Sequence, residues 1–190
     1  MIPNYKGKFI QDVDFSSLKY PPNRFLSRAF DKISNHDYFD MRGYDWDSYK
    51  MIYEVEKNII ECVDNTAKNA KQFEEFIEYI VENDELNSSE LLGIEAGVAS
   101  ITFALSALGG APLVSCRGHP KNTYPYSRYP MVVFYSDKDI AKDLVKLVSE
   151  TSLGFLDIDT FDGYRGLMLQ AKNVVDMMEF SQKIYSEKNN

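Results

Sequence analysis

From Glu95 onward, segments of helical period alternate with short apolar runs, and few architectures accommodate that order. Glu95 to Leu108 is rich in small residues and ends at Gly109-Gly110, a natural helix stop. Pro112 to Cys116, Met131 to Tyr135, Gly154 to Ile158 and Gly166 to Ala171 have the length and apolar content of strands. Asp162-Gly163 signals a turn between the last two. Asp137 or Asp139 starts a helix with Ile140, Leu144, Leu147 and Val148 on its core face. Asn173 caps a final helix bearing Val174, Val175, Met178, Phe180, Ile184 and Tyr185. The order α-β-β-α-β-β-α predicts an α+β fold, a two-layer domain in which helices cover one face of a mainly antiparallel sheet.

Upstream the pattern is helical with irregular breaks. Pro21-Pro22-Asn23 precedes a helix near Arg24 with Phe25, Leu26, Ala29, Phe30 and Ile33 at helical spacing. Asn35 to Trp46 reads as a loop. Asp47 or Ser48 caps the next helix, whose stripe is Met51, Ile52, Val55, Ile59, Cys62 and Val63. A further helix carries Phe73, Phe76, Ile77, Ile80 and Val81 on one face, with Glu74, Glu75, Glu78 and Glu82 on an opposite, solvated face. The polar stretch Asn83 to Ser89 divides the chain. The expected organisation is a helical region over residues 1–90 packed on an α+β domain over residues 91–190.

With 190 residues the chain can bury a sizeable core, and 44% hydrophobic residues suit a globular protein. The formal net charge of −8 argues against duplex nucleic acid and anionic membranes as partners. Two cysteines, Cys62 and Cys116, fit reduced thiols and a cytoplasmic location, with no secretory signal or membrane span in view.

Within the strand-rich half, Ser115-Cys116-Arg117-Gly118-His119-Pro120 gathers a thiol, a guanidinium and an imidazole around one glycine. No Asp or Glu occurs between Glu95 and Asp137. Positive charge from Arg117, His119, Lys121 and Arg128 favours a nucleophilic Cys116, and His119 can serve as its base. Gly118 lets main-chain N–H groups face an anion, and arginine holds phosphate in a bidentate fork. Cys116 and His119 are the candidate catalytic pair; Ser115, Arg117, Gly118, Lys121 and Arg128 are the candidate ligand-binding residues. A buried, inert cysteine is the plain alternative. Cys-x-x-His invites a metal, but only Cys62 and His36 offer further soft donors, so no metal is expected.

Other groupings are weaker. Tyr124, Tyr126, Tyr129 and Arg128 interleave aromatics with a cation, as a stacking platform or as loop packing. His36 with Asp37, Asp40, Asp45 and Asp47 can hold a hard cation or form a solvated acidic surface. Asp157, Asp159 and Asp162 suit a turn better than acid–base work.

The helix Gly97-Val98-Ala99-Ser100 to Ala104-Leu105, the strand ending Ser-Cys-x-Gly-His-Pro and the apolar run Tyr129 to Tyr135 resemble a pattern of uncharacterised small bacterial proteins. Ser115-Cys116-x-Gly118 also resembles the motif of the tRNA wybutosine-synthesising protein 3 family. That resemblance implies an α/β methyltransferase-type relationship, S-adenosylmethionine as a cofactor, and a pocket at Ser115, Cys116 and Gly118. Arg117 stands where that family has a small residue, and His119 where it has arginine.

Two functions remain open. One is a small soluble protein binding a phosphorylated or nucleotide-like ligand at the 115–128 loop, as an enzyme using Cys116 or as a sensor. The other is a non-catalytic acidic protein of immunity or antitoxin type, or a complex subunit, whose N-terminal half with Tyr38, Phe39, Tyr44 and Trp46 meets a basic protein partner.

Overall fold

In a computed structural model of the chain, residues 1–26, 40–119, 128–160 and 163–189 are described. Five strands form one sheet: β1 (Gln11–Asp12), β2 (Ala111–Cys116), β3 (Met131–Tyr135), β4 (Gly154–Asp159) and β5 (Arg165–Gln170), in the order β1-β4-β5-β3-β2. The sheet is mixed, because a short fifth strand joins the four that the apolar runs suggest. β1 pairs with β4 in parallel, while β4–β5, β5–β3 and β3–β2 run antiparallel. The two-residue β1, exposed at both positions, is too short to leave a periodic signal in the sequence.

Three helices cover one sheet face: α3 (Ala99–Ala107), α4 (Lys138–Val148) and α5 (Val174–Asn189). Their Ile101, Leu105, Leu144, Val148, Met177 and Ile184 pack against Val132, Phe134, Phe155, Leu167 and Leu169 of the sheet. Phe25 and Leu26 sit with Leu113, Val133 and Tyr135 in a separate apolar cluster. Beyond α3 and α5 lie α1 (Trp46–Thr66) and α2 (Ala70–Glu82), whose Ile52, Ile59, Phe73 and Ile77 share a core with Phe103, Ala104 and Met178. α3 therefore contributes to two cores, and every residue from Ala99 to Ser106 is buried. Its small residues let helices approach closely, and its lack of a polar face follows from having no solvent side.

The start of α3 is held from outside. Val98, its N-cap residue, provides no side-chain cap. Instead Glu56 of α1, fully buried, accepts hydrogen bonds from Gly97 N and Ala99 N at 2.7 Å each and from Ser100 N at 3.0 Å. A carboxylate at a helix N-terminus meets both unpaired N–H groups and the positive end of the helix dipole. Burial pushes the Glu56 carboxyl up, and the Ser100, Ala99 and Gly97 hydrogen bonds oppose that shift. Gly97 has φ +105°, and a Cβ there would lie 2.4 Å from Val174 Cγ1. The buried face of α1 thus runs through Tyr49, Ile52, Glu56, Ile59, Ile60 and Val63, whereas Met51 and Cys62 are exposed. The cap of α1 is Asp45, which accepts from Ser48 N, and not Asp47 or Ser48. Asp137 caps α4, and Asn173 Oδ1 accepts from Asp176 N at the start of α5. No helix among the described residues is long and apolar enough to cross a membrane.

The polar stretch before α3 is a compact connection, a 3₁₀ segment over Glu85–Leu91. Asp84, Leu86, Asn87 and Leu92 adopt positive φ, and Ser88 and Leu91 are buried. The Phe30 and Ile33 positions of the expected first helix, and His36, Asp37, Tyr38 and Phe39, lie outside the described residues.

Candidate functional site

β2 is an edge strand, which tolerates Pro112, and its register shifts between Pro112 and Val114. The strand ends at Cys116, opposite Met131. The chain then turns at Gly118, with φ +83°. A Cβ at Gly118 would lie 2.7 Å from Pro130 N and 2.7 Å from Tyr129 C, so the turn admits only glycine. Its N–H points back at Cys116 Sγ, 3.4 Å away, and its carbonyl accepts from the buried Tyr5 hydroxyl at 3.2 Å. Burial pushes the Tyr5 phenol up, with the Glu74 charge adding to it.

The turn delivers His119 back beside Cys116. Glu95, from the segment leading into α3, completes a group of three. The Cys116 sulfur, one His119 nitrogen and one Glu95 oxygen all lie within 4.8 Å of one another. His119 Nε2 is 3.3 Å from Glu95 Oε1, and Nδ1 is 3.8 Å from Glu74 Oε2. His119 is pushed up to about 10, first by its hydrogen bond with Cys116, then by that with Glu95, against the opposing effect of burial. It is therefore an imidazolium at neutral pH. Burial raises the Glu95 carboxyl, but the His119 hydrogen bond, the Arg117 charge and the Arg117 N–H outweigh it and hold Glu95 below the usual carboxylate range.

Arg117 is built into this cluster. Its backbone N–H donates to Glu95 Oε2 at 2.8 Å, its Nε to Glu74 Oε2 at 2.9 Å, and its guanidinium lies 2.9 Å from Glu74, 3.4 Å from Glu95 and 3.5 Å from Glu78. Its side chain is only 7% exposed. Burial alone would lower the Arg117 pKa, but Glu95 and Glu74 raise it. The run from Glu95 to Asp137 is thus free of acid in sequence but not in space. Arg117 is engaged by carboxylates and does not present an open fork to an anion. Nor is α2's acidic face wholly solvated, because Glu74 is turned toward Arg117 and only 16% exposed, whereas Glu78 is 61% exposed.

Beside the cluster opens a cleft of about 570 Å³ lined by Glu78, Glu82, Asp84, Ile94, Glu95 and Arg117, among others. Cys116 and His119 do not line it; Cys116 is 5% exposed. Ser115 precedes Cys116 in an extended strand, so its side chain leaves the opposite face of the sheet. Arg128 is exposed, with its guanidinium carbon 6.0 Å from the Tyr129 ring centre. Lys121, Tyr124 and Tyr126 lie outside the described residues. The structure therefore joins Cys116, His119, Gly118 and Arg117, adds Glu95 and Glu74, turns Ser115 to the other sheet face, and leaves Arg128 exposed with its charge acting on Tyr5.

No known family model matches the chain, and no curated protein or solved structure matches it either.

Proposed function

We propose that the chain is a thiol enzyme acting on a small electrophilic substrate, with Cys116 as nucleophile, His119 as its paired acid and base, and Glu95 as the group that orients the imidazole. The observation that carries this reading is the convergence of a thiol, an imidazole and a carboxylate within 4.8 Å. An imidazolium beside a sulfur, with a backbone N–H also aimed at it, is the environment that makes a cysteine reactive. Acyl transfer is the chemistry that needs only these groups. Cys116 Sγ bonds to the substrate carbonyl carbon while His119 gives its proton to the departing group. Neutral His119 then takes a proton from water, whose oxygen bonds to the acyl carbon and releases the sulfur. His119 and Glu95, 24% and 30% exposed on their side chains, are the members through which substrate would arrive, since Cys116 is buried.

The phosphorylated or nucleotide-like ligand expected at residues 115–128 has weaker support, since Arg117 is already engaged by Glu74, Glu78 and Glu95. The test is mass spectrometry after incubation with a panel of small thioesters and activated esters. An acyl adduct on Cys116 that is absent in Cys116→Ser, slowed at least tenfold in His119→Gln and unaffected by Cys62→Ser supports the reading. Equal acylation of wild type and Cys116→Ser refutes it. S-adenosylmethionine and nucleotides belong in a parallel thermal-shift screen.

One observation favours the second reading, an acidic surface for a basic protein partner. Tyr79, Val81 and Leu86 are exposed apolar residues set among Glu78, Glu82, Asp84 and Glu85. Binding of a Lys-rich amphipathic peptide that weakens with salt and is lost in Tyr79→Ser/Val81→Ser supports it; no binding at low salt removes it.

A further inference from the structure

We infer that Glu95, Cys116 and His119 form a binding site for a borderline-soft divalent cation, of which Zn²⁺ is the type, and that occupancy withdraws the Cys116 sulfur from reaction. This goes beyond the thiol chemistry proposed above, because it concerns a ligand and a regulation of these side chains that hold whether or not Cys116 is ever acylated.

The donor set is the first support. Sulfur, imidazole nitrogen and carboxylate oxygen are the three ligand types zinc takes, and three protein ligands with a fourth place for water is the pattern of accessible zinc sites. Spacing is the second. Metal–ligand distances of about 2.0–2.3 Å in a tetrahedron put donor atoms roughly 3.3–3.8 Å apart. The His119 and Glu95 atoms are at 3.3 Å, and no pair of the three exceeds 4.8 Å. Closing the group on an ion needs a side-chain shift on the order of 1 Å.

The surroundings are the third support, and they separate this group from a chance meeting of three side chains. Two of the donors already hold a hydrogen bond from a neighbour, and a carboxylate stands near the third. Glu95 Oε2 is held by the Arg117 N–H at 2.8 Å, which leaves Oε1 turned toward His119. Glu74 stands 3.8 Å behind His119 Nδ1, the place where a carboxylate orients a metal-bound imidazole. Gly118 N–H faces the Cys116 sulfur. Glu74, Glu78 and Glu95 surround the single guanidinium of Arg117, and the proton of the His119 imidazolium leaves as a cation enters, so two negative charges are left over, which suits a dication. The sequence alone points away from a metal because Cys-x-x-His supplies two ligands, and the third arrives from Glu95, across the turn that precedes α3.

The experiment uses the full chain, stripped with chelator and titrated with Co²⁺ and Zn²⁺. The inference predicts one Co²⁺ per chain with a sulfur-to-cobalt charge-transfer band, displaced by Zn²⁺. Cys116→Ser abolishes the band and Cys62→Ser keeps it. His119→Gln and Glu95→Gln each weaken Zn²⁺ binding at least about 100-fold, beyond the tenfold to hundredfold of a supporting residue. Zn²⁺ also protects Cys116 from iodoacetamide. Should Cys116→Ser lose its native circular dichroism, the partly exposed His119→Gln carries the comparison. Absence of the band in wild type, or its persistence in Cys116→Ser, overturns the inference. A silent Co²⁺ titration with His119-dependent acylation of Cys116 would sink the metal site alone. A bound ion with an inert thiol in chelator would sink the enzyme alone.

Discussion

Replacing Arg117 with methionine separates a structural cation from a ligand-binding one. Its side chain is 7% exposed and touches Glu74, 16% exposed, and Glu95, 30% exposed. Removing one partner of a buried pair costs about 3–5 kcal/mol, because the remaining charge stays desolvated. Glu74 and Glu95 keep some contact with water, and Glu78 at 61% exposure adds little, so the expected loss is about 2–4 kcal/mol. That is roughly a thirtyfold to thousandfold fall in the folded-to-unfolded ratio. Urea unfolding followed by circular dichroism reads it as a lower midpoint at unchanged slope. Arg117→Lys keeps the charge but loses the fork, and sits between wild type and Arg117→Met. A cycle with Glu74→Gln gives a coupling of at least about 1 kcal/mol. If Arg117→Met unfolds within about 0.5 kcal/mol of wild type, as surface changes do, the guanidinium is solvated and its role as the cluster's counter-charge is refuted.

Three further outcomes follow from the same structure. Glu56→Gln leaves at least one of the Gly97, Ala99 and Ser100 N–H groups facing an NH₂ group and costs about 1–3 kcal/mol by urea unfolding, whereas a neutral result would deny the cap. Gly118→Ala meets the backbone at 2.7 Å with φ +83°, so it destabilises by about 1–3 kcal/mol and slows Cys116 alkylation by moving His119; a wild-type midpoint and rate would contradict the turn. Asp45 is held below the usual carboxylate range by Ser48 N–H and Ser48 Oγ–H. A lowered folded-state value gives stability that is present above the unfolded value, near pH 4, and lost as pH falls through the folded one. Asp45→Asn therefore flattens the acid limb of the stability profile below about pH 4.

Local pattern carried much of the fold and little of the site. The runs at β2 to β5 announce themselves because each is a short apolar segment bounded by glycine, proline or aspartate, and Asn173 and Asp137 are recognisable caps. β1 is two exposed residues and gives no such signal. The Cys116–His119 pair is legible because both come from one turn of chain. Arg117's partners are not, since Glu74 is 43 residues away and Glu95 is 22, and side chains that far apart meet only through tertiary packing. Two signals were nonetheless present. Glu56 falls in register with Ile52, Ile60 and Val63, so a carboxylate interrupts an apolar stripe. Glu95 is a lone acid entering a segment otherwise without charge. A carboxylate in an apolar pattern must find hydrogen bonds or a cation, and both do.

The proposed chemistry needs Cys116, His119 and Glu95 to act as one coupled group. Proton-detected ¹⁵N spectra of the His119 imidazole, followed across pH in chelated protein, measure that coupling directly. The structure predicts an imidazolium that persists through neutral pH and titrates at about 10, with the change moving toward the ordinary histidine range when Cys116→Ser and Glu95→Gln are introduced. A His119 that titrates in the wild type near the ordinary value, about 6.5, and ignores both substitutions would contradict it.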